Sequence, residues 1–366
     1  TARTLDWSAP GTIFFDYRNT VLYTPVPYLP QALGMKVSEW LRLPPFWWMY
    51  LGRLFNLAAG LSLVFAAIRK APTQKWLLLG LALMPMSVFL SATLSADVVT
   101  TGLCFLLIAW VMREKSKEGP PATSSLVGIA LVSILIALSK QVYFPISFLC
   151  LLLPASRFRD SRTRYAFYFF SIGFGLGLSL LWTLALKQRE LFLRMAERPH
   201  DLDVQMDFIL RDPLGYLGIL FGTIKNHYAI LLEQFVGQLG WLDTILPKWL
   251  WVSYATLLPC LAVADSDPGF SLRGKERVLV ALSWAASVFL LFLALYLQAS
   301  PIGAEYIGCQ GRYFIPLAPL FFLLLSHRKE SLRLTRFKAV RVAIAAALTG
   351  ALIETALLLL KRYHAA

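Results

Sequence analysis

Apolar residues run along this chain in blocks of about twenty, the length a helix needs to cross a bilayer core of roughly 30 Å. Blocks near 46–67, 76–94, 97–112, 124–139, 165–186, 247–264, 277–299 and 341–360 qualify as spans. Two shorter runs, near 143–154 and 314–326, have a length that also fits buried or re-entrant helices. A further run, Pro213 to Val236, is apolar but carries Lys225, Asn226 and His227 at its centre, where hydrocarbon disfavours them.

The placement of positive charge decides how these blocks are threaded. The net charge is +14, and more than half of the 35 Lys and Arg residues fall in five short connections. These hold Arg69, Lys70 and Lys75; Arg113, Lys115 and Lys117; Arg157, Arg159, Arg162 and Arg164; Arg273, Lys275 and Arg277; and Arg328, Lys329, Arg333, Arg336, Lys338 and Arg341. Such residues collect in cytoplasmic loops. All five clusters share one side only if both short runs cross, which predicts about ten crossings. Counting 213–236 as a crossing would put Arg273, Lys275 and Arg277 outside, so that run is read as an amphipathic or re-entrant segment on the outer surface. The outer elements are then about 1–45 and about 187–246. No internal repeat, low-complexity tract or flexible linker divides the chain. The expectation is a single integral membrane domain, 1–366: an all-α, polytopic transmembrane helical bundle with outer amphipathic helices, multi-pass in the cytoplasmic (inner) membrane.

Composition agrees. The chain is 57% hydrophobic and 15% charged, with 11 Trp and 25 Phe, too little polar surface for a soluble protein of this size. The basic excess sits between apolar runs rather than interleaved with aromatics on a folded face, which argues against nucleic acid. Cys104, Cys150, Cys260 and Cys309 are far apart, and His200, His227, His327 and His364 are scattered, so neither a disulfide framework nor a metal-ligand spacing emerges. No cofactor is called for, while the participation of a divalent metal stays open.

With orientation assigned, several polar residues fall at the outer boundary. Asp97 heads a helix in Leu94-Ser-Ala-Asp97, either as a cap or dipole partner or as a functional carboxylate. Lys140 ends a helix beside Gln141, and either snorkels to the interface or holds an anion. Arg53 lies about two turns into its span on the face of Asn56, where an Arg is a functional candidate by default. The strongest local signal is Cys309-Gln310-Gly311-Arg312-Tyr313-Phe314 at the mouth of a short helix. Arg312 offers a planar fork for phosphate oxygens, Gly311 allows close backbone approach, and Tyr313 suits a sugar or the interface. Trp241 is equally fit to stack on a sugar or to sit in a membrane belt, and Asp243 to accept sugar hydroxyls or cap a helix. Arg53, Lys140 and Arg312 at one outer depth, with Asp97 beside them, favour a phosphate site.

Tyr28-Leu-Pro-Gln-Ala-Leu-Gly34, Gly52-Arg53, Met84-Pro-Met86 with Ser95-Ala-Asp97, Gly240-Trp-Leu-Asp243-Thr and Gln310-Gly-Arg-Tyr-Phe314 occur in one order. Over nearly the whole chain this set resembles a family of bacterial polytopic membrane proteins catalogued as a domain of unknown function. That family looks like a branch of the GT-C class, which transfers sugars from polyprenyl-phosphate-type lipid donors outside the cytoplasmic membrane. The resemblance implies an inverting transfer to a cell-envelope glycan or glycolipid, with an acidic base in the first outer loop. The family's first transmembrane helix and its acidic Pro-Asp-Glu-type motif with a nearby His are not found before Tyr28. The chain is therefore expected to begin after that helix.

The expected function is a GT-C-like glycosyltransferase whose partners are a polyprenyl-linked sugar donor, a glycan or glycolipid acceptor and the bilayer. Arg312, Lys140, Arg53 and Gln310 are expected to bind the lipid-donor phosphate. Asp97, with Asp16 second, is the candidate base, and Trp241, Asp243, Tyr313 and Tyr28 are expected on the sugar or acceptor. A transporter or flippase of lipid-linked sugars would use the same cations but should show repeated halves or Gly/Pro-broken spans in matching positions; the sequence has the broken spans and not the repeat. A non-catalytic scaffold would need none of them.

Overall fold

The structure, a computed structural model, describes residues 23–188, 202–265, 270–301, 303–325 and 337–364. It is an all-α membrane protein. After a 3₁₀ turn, Val26–Tyr28, come α1 (Leu29–Trp40) and the long α2 (Pro45–Lys70). The predicted 76–94 span is two helices, α3 (Lys75–Ala82) and α4 (Pro85–Ser91). Pro85 cannot donate to the preceding turn and drives Met84 into an extended conformation, so the helix breaks there. Then follow α5 (Asp97–Ser116), α6 (Thr123–Ser139) and a 3₁₀ segment, Gln141–Leu152. A π-turn, Phe169–Phe174, joins α7 (Ser161–Tyr168) to α8 (Gly175–Gln188).

The stretch between α8 and the next apolar helix contains α9 (Leu202–Arg211), α10 (Pro213–Gly237) and a two-stranded hairpin, β1 (Gln238–Leu239) with β2 (Thr244–Ile245). Spans resume with α11 (Lys248–Ala264) and α12 (Gly274–Ala299). A 3₁₀ segment, Gly311–Leu317, leads into α13 (Ala318–Leu325), and α14 (Lys338–His364) ends the described chain. Four helical runs are long and apolar enough to span a bilayer: Pro45–Lys70, Ser161–Ala185, Gly274–Ala299 and Lys338–Tyr363. Shorter apolar helices are Thr123–Ser139, Gln141–Leu152, Lys248–Ala264 and Gly311–Leu325.

Both short runs are thus helical, wholly or partly in the 3₁₀ form. Side chains three apart eclipse in a 3₁₀ helix. Accordingly Tyr143, Ile146, Leu149 and Leu152 make one buried row, and Phe144, Ser147 and Cys150 a second. The segment packs against α5, α6 and α12, in the middle of the bundle.

Side-chain contacts tie the basic connections together at one end. Lys70 Nζ lies 3.5 Å from the centre of the Trp110 ring. Lys115 pairs with Glu276 at 3.2 Å, Arg157 donates to the Glu114 carbonyl at 2.8 Å, and Arg277 donates to the Leu324 carbonyl. Four of the five basic clusters meet in this way; the fifth lies largely outside the described residues. At the opposite end stand Asp97, Lys140 and Arg312, and α14 reaches it to pair Arg362 with Asp243 at 2.9 Å.

The expected re-entrant or amphipathic segment 213–236 is one continuous helix. Asp212 caps it by accepting from the Gly215 N–H at 2.8 Å, and Lys225-Asn-His227 does not interrupt it. His227 stacks on Tyr306 at 5.7 Å, and Thr223 Oγ1 accepts the Ile307 N–H at 3.0 Å. α10 is held chiefly against the Gly311–Leu317 segment, with further packing on α4, α9 and α11, rather than folded back on itself.

Two sites test the orientation by cysteine labelling of whole cells. Trp241 is 96% exposed at the hairpin tip, and Ser161 is exposed at the basic end. Trp241→Cys should react with an impermeant maleimide and Ser161→Cys should not; the reverse pattern would invert the topology.

Candidate functional site

The site is built on a turn. Gln31 of α1 and Asn56 of α2 both donate to the Ser95 carbonyl, at 3.1 and 3.2 Å, and Asn56 also donates to the Thr93 carbonyl at 2.9 Å. Ser95 Oγ accepts the Asp97 N–H at 3.1 Å. Asp97 is the first residue of α5, and the N-cap before it is Ala96, which has no side-chain cap to offer. The carboxylate is therefore not a helix cap. It accepts from Lys140 Nζ through Oδ1, and Arg312 Nε lies 3.9 Å from Oδ2.

Lys140 gets there because α6 ends at Ser139 and Lys140 is extended. Its side chain is 8% exposed, so it does not snorkel. The ammonium lies 5.1 Å from the centre of the Tyr23 ring and 5.3 Å from that of Tyr313, within cation–π range. The Arg312 guanidinium lies 5.4 Å from the centre of the same Tyr313 ring. Tyr143 Oη fixes this turn by donating to the Tyr313 carbonyl at 2.8 Å.

Gly311 places Arg312. Its N–H donates to Gln234 Oε1 at 3.0 Å, and a Cβ there would stand 1.9 Å from the Leu231 carbonyl oxygen of α10. Only glycine lets the chain lie this close to the helix.

Beside Lys140 opens a cavity of about 160 Å³, walled by Tyr23, Lys140, Gln141, Thr183, Gln298 and Tyr313 on its polar side and by Leu138, Val142, Leu291 and Leu295 on its apolar side. It is smaller than the roughly 300–1,000 Å³ of most ligand pockets, closer to a headgroup than to a whole lipid-linked sugar. Lys140 lines it, whereas Asp97 and Arg312 do not.

Residues 3–321 match the model of a family described as a predicted membrane protein, DUF2142. The chain belongs to that family. No curated protein and no solved structure matches it.

The remaining motif residues of this DUF2142 chain fall in different places. Arg53 lies over the ring of Tyr50, at 5.8 Å, and no contact among the described residues joins it to Asp97. Equal depth did not bring it into the cluster. Gln310 is next to the cations, but its side-chain Oε1 is buried without a hydrogen-bond partner while its carbonyl accepts the Tyr313 N–H at 3.1 Å. Tyr28 is half-buried near the cluster, and burial pushes its hydroxyl up to about 12, so it stays a donor at neutral pH.

The Gly240-Trp-Leu-Asp-Thr motif makes the hairpin turn. Gly240 has φ +66° and Leu242 φ +67°, and Asp243 Oδ1 accepts the Trp241 N–H at 3.1 Å. The Arg362 guanidinium bonds to Asp243 and holds its carboxyl below the usual carboxylate range. Asp243 thus links the hairpin to α14 and Trp241 projects into the surroundings; neither is brought to the Asp97 group. Asp16 lies outside the described residues.

Among the described residues no group of three or more His, Cys, Asp or Glu could hold a metal. Sequence reasoning missed Tyr23, Gln31, Asn56 and Tyr143 as site residues. Gln31 lay inside the quoted Tyr28–Gly34 motif, and Asn56 was visible as a polar residue on the face of Arg53. Tyr23 and Tyr143 had no signal beyond being tyrosines near an outer boundary.

Proposed function

We propose that this chain is a GT-C-like glycosyltransferase that takes a sugar from a polyprenyl-phosphate-type lipid at the outer face of the inner membrane and transfers it to a cell-envelope glycan or glycolipid. The observation that carries the reading is the convergence of Lys140 and Arg312 on one carboxylate at the end of the bundle opposite the basic connections. A half-polar, half-apolar cavity lies beside them.

Such a reaction leaves negative charge on the departing phosphate. Cations already fixed in a poorly solvated place stabilise that charge without reorganising during the reaction. Tyr143, Tyr313 and Gly311 supply the fixing. The apolar wall of Leu138, Val142, Leu291 and Leu295 suits the first carbons of a lipid stem attached to the phosphate. The acceptor hydroxyl must lose a proton to a general base.

The test is sugar transfer by the purified full chain in lipid nanodiscs, supplied with candidate polyprenyl-linked sugars and with glycan and glycolipid acceptors. Transfer that depends on Lys140 supports the enzyme. Movement of the lipid-linked sugar across liposomes without any transfer would instead place the chain among flippases.

A further inference from the structure

We infer that Asp97 is the resident counter-ion of Lys140 and Arg312, the group an incoming phosphate competes with, and not the proton acceptor of the reaction. This rests on the phosphate site proposed above and assigns the role of one residue within it.

Three observations carry it. Both carboxylate oxygens already face cations, Oδ1 taking the Lys140 ammonium and Oδ2 lying 3.9 Å from Arg312 Nε. A general base must hold an oxygen within hydrogen-bond reach of the acceptor hydroxyl, and the one oxygen of Asp97 that is hydrogen-bonded is already taken by Lys140. Second, the cavity is lined by Lys140 and not by Asp97. A ligand there meets the lysine first. Third, the turn carrying Asp97 is clamped by Gln31 and Asn56 on the Ser95 carbonyl, with Asn56 fully buried. That is the support expected for a fixed charge.

The electrostatics give the arrangement a purpose. Two cations brought together away from water repel each other and lose hydration, and removing one partner of a buried ion pair leaves an uncompensated charge. A carboxylate between them lets the empty site exist. It also sets the site's balance: two positive charges and one negative leave +1, so a net attraction for an anion remains. Lys140 can share its protons with a phosphate in the cavity while Asp97 keeps Arg312.

The experiment uses the purified full chain in nanodiscs, with dodecyl phosphate as the anionic probe and dodecanol as its neutral control, at pH 8. Neutralising the competitor raises the attraction for the probe, so Asp97→Asn should bind dodecyl phosphate about tenfold more tightly than the wild type. Without ligand, Asp97→Asn should melt below the wild type, and saturating dodecyl phosphate should recover the loss where dodecanol does not. Asp97→Glu, which keeps the charge, should bind like the wild type. If Asp97→Asn does not stay folded, the double variant Asp97→Asn/Lys140→Met takes its place. That variant restores the balance and should melt near the wild type while binding dodecyl phosphate at least tenfold more weakly. Equal or weaker binding by Asp97→Asn, or undiminished binding by the double variant, overturns the inference and leaves the phosphate site standing. No binding by the wild type or by Asp97→Asn removes the phosphate site, and the inference with it.

Discussion

Replacing Arg312 by alanine is expected to lower sugar transfer by about 10²–10³-fold while the protein still folds and inserts. The magnitude is that of removing one fixed donor from a developing negative charge. Folding should survive because the side chain is 31% exposed, and its nearest anion, 3.9 Å away, keeps Lys140 as a closer partner. Arg312→Lys keeps the charge but loses the planar fork and the stacking on Tyr313, so its activity should fall between wild type and alanine. Initial rates over a range of donor concentrations check this. A fall in kcat marks a contact made in the transition state, and a rise in KM with kcat unchanged marks a contact made equally in the ground state. Undiminished transfer by Arg312→Ala would show the guanidinium to be an interfacial anchor.

Gly311→Ala should damage the protein more than any change to the charged residues, although Gly311 has no side chain. An added Cβ would lie 1.9 Å from the Leu231 oxygen and 2.4 Å from the Phe235 nitrogen, both backbone atoms of α10 that no rotamer change can move. The segment would have to lift off the helix, losing the Gly311 N–H bond to Gln234 and shifting Arg312 from Asp97. Overpacking together with one lost buried hydrogen bond is expected to destabilise by about 2–4 kcal/mol. Gly308→Ala is the control, since nothing lies within 4 Å of its added Cβ. A thermal melt of the two variants should show a clear drop for Gly311→Ala alone. Equal melting temperatures would mean that the Gly311 backbone does not lie on α10.

Depth across the membrane was legible in the sequence, and direction around each helix was not. Runs of apolar residues and the side on which Arg and Lys collect fix where a residue stands along the bundle axis. That sufficed to bring Asp97, Lys140 and Arg312 to the same end. It could not separate Arg53 from them, because successive helical residues turn by about 100° and a small error in facing points a side chain elsewhere. Arg53 lies over Tyr50, one turn earlier on its own helix. The Asp243–Arg362 pair was illegible for a different reason: its partners are 119 residues apart, and nothing local in either marks the other. The break in 76–94 is written in Pro85, although the apolar run continues through it. That the cavity reaches Lys140 but not Asp97 depends on how α6, α12 and the segment between them pack, which no single segment encodes.

The 3₁₀ form of Gln141–Leu152 has a consequence for reach. Its twelve residues advance about 24 Å at the 3₁₀ rise of about 2.0 Å per residue, against about 18 Å as an α-helix. A run that looked too short to traverse a hydrocarbon layer of roughly 30 Å comes close to doing so by being drawn out along its axis. Rewound as an α-helix, the same residues would pull Lys140 about 6 Å toward the basic end, away from the depth at which Asp97 and Tyr313 receive it. The hydrogen-bonding pattern of a buried segment, rather than its number of residues, thereby sets the height of the ammonium group.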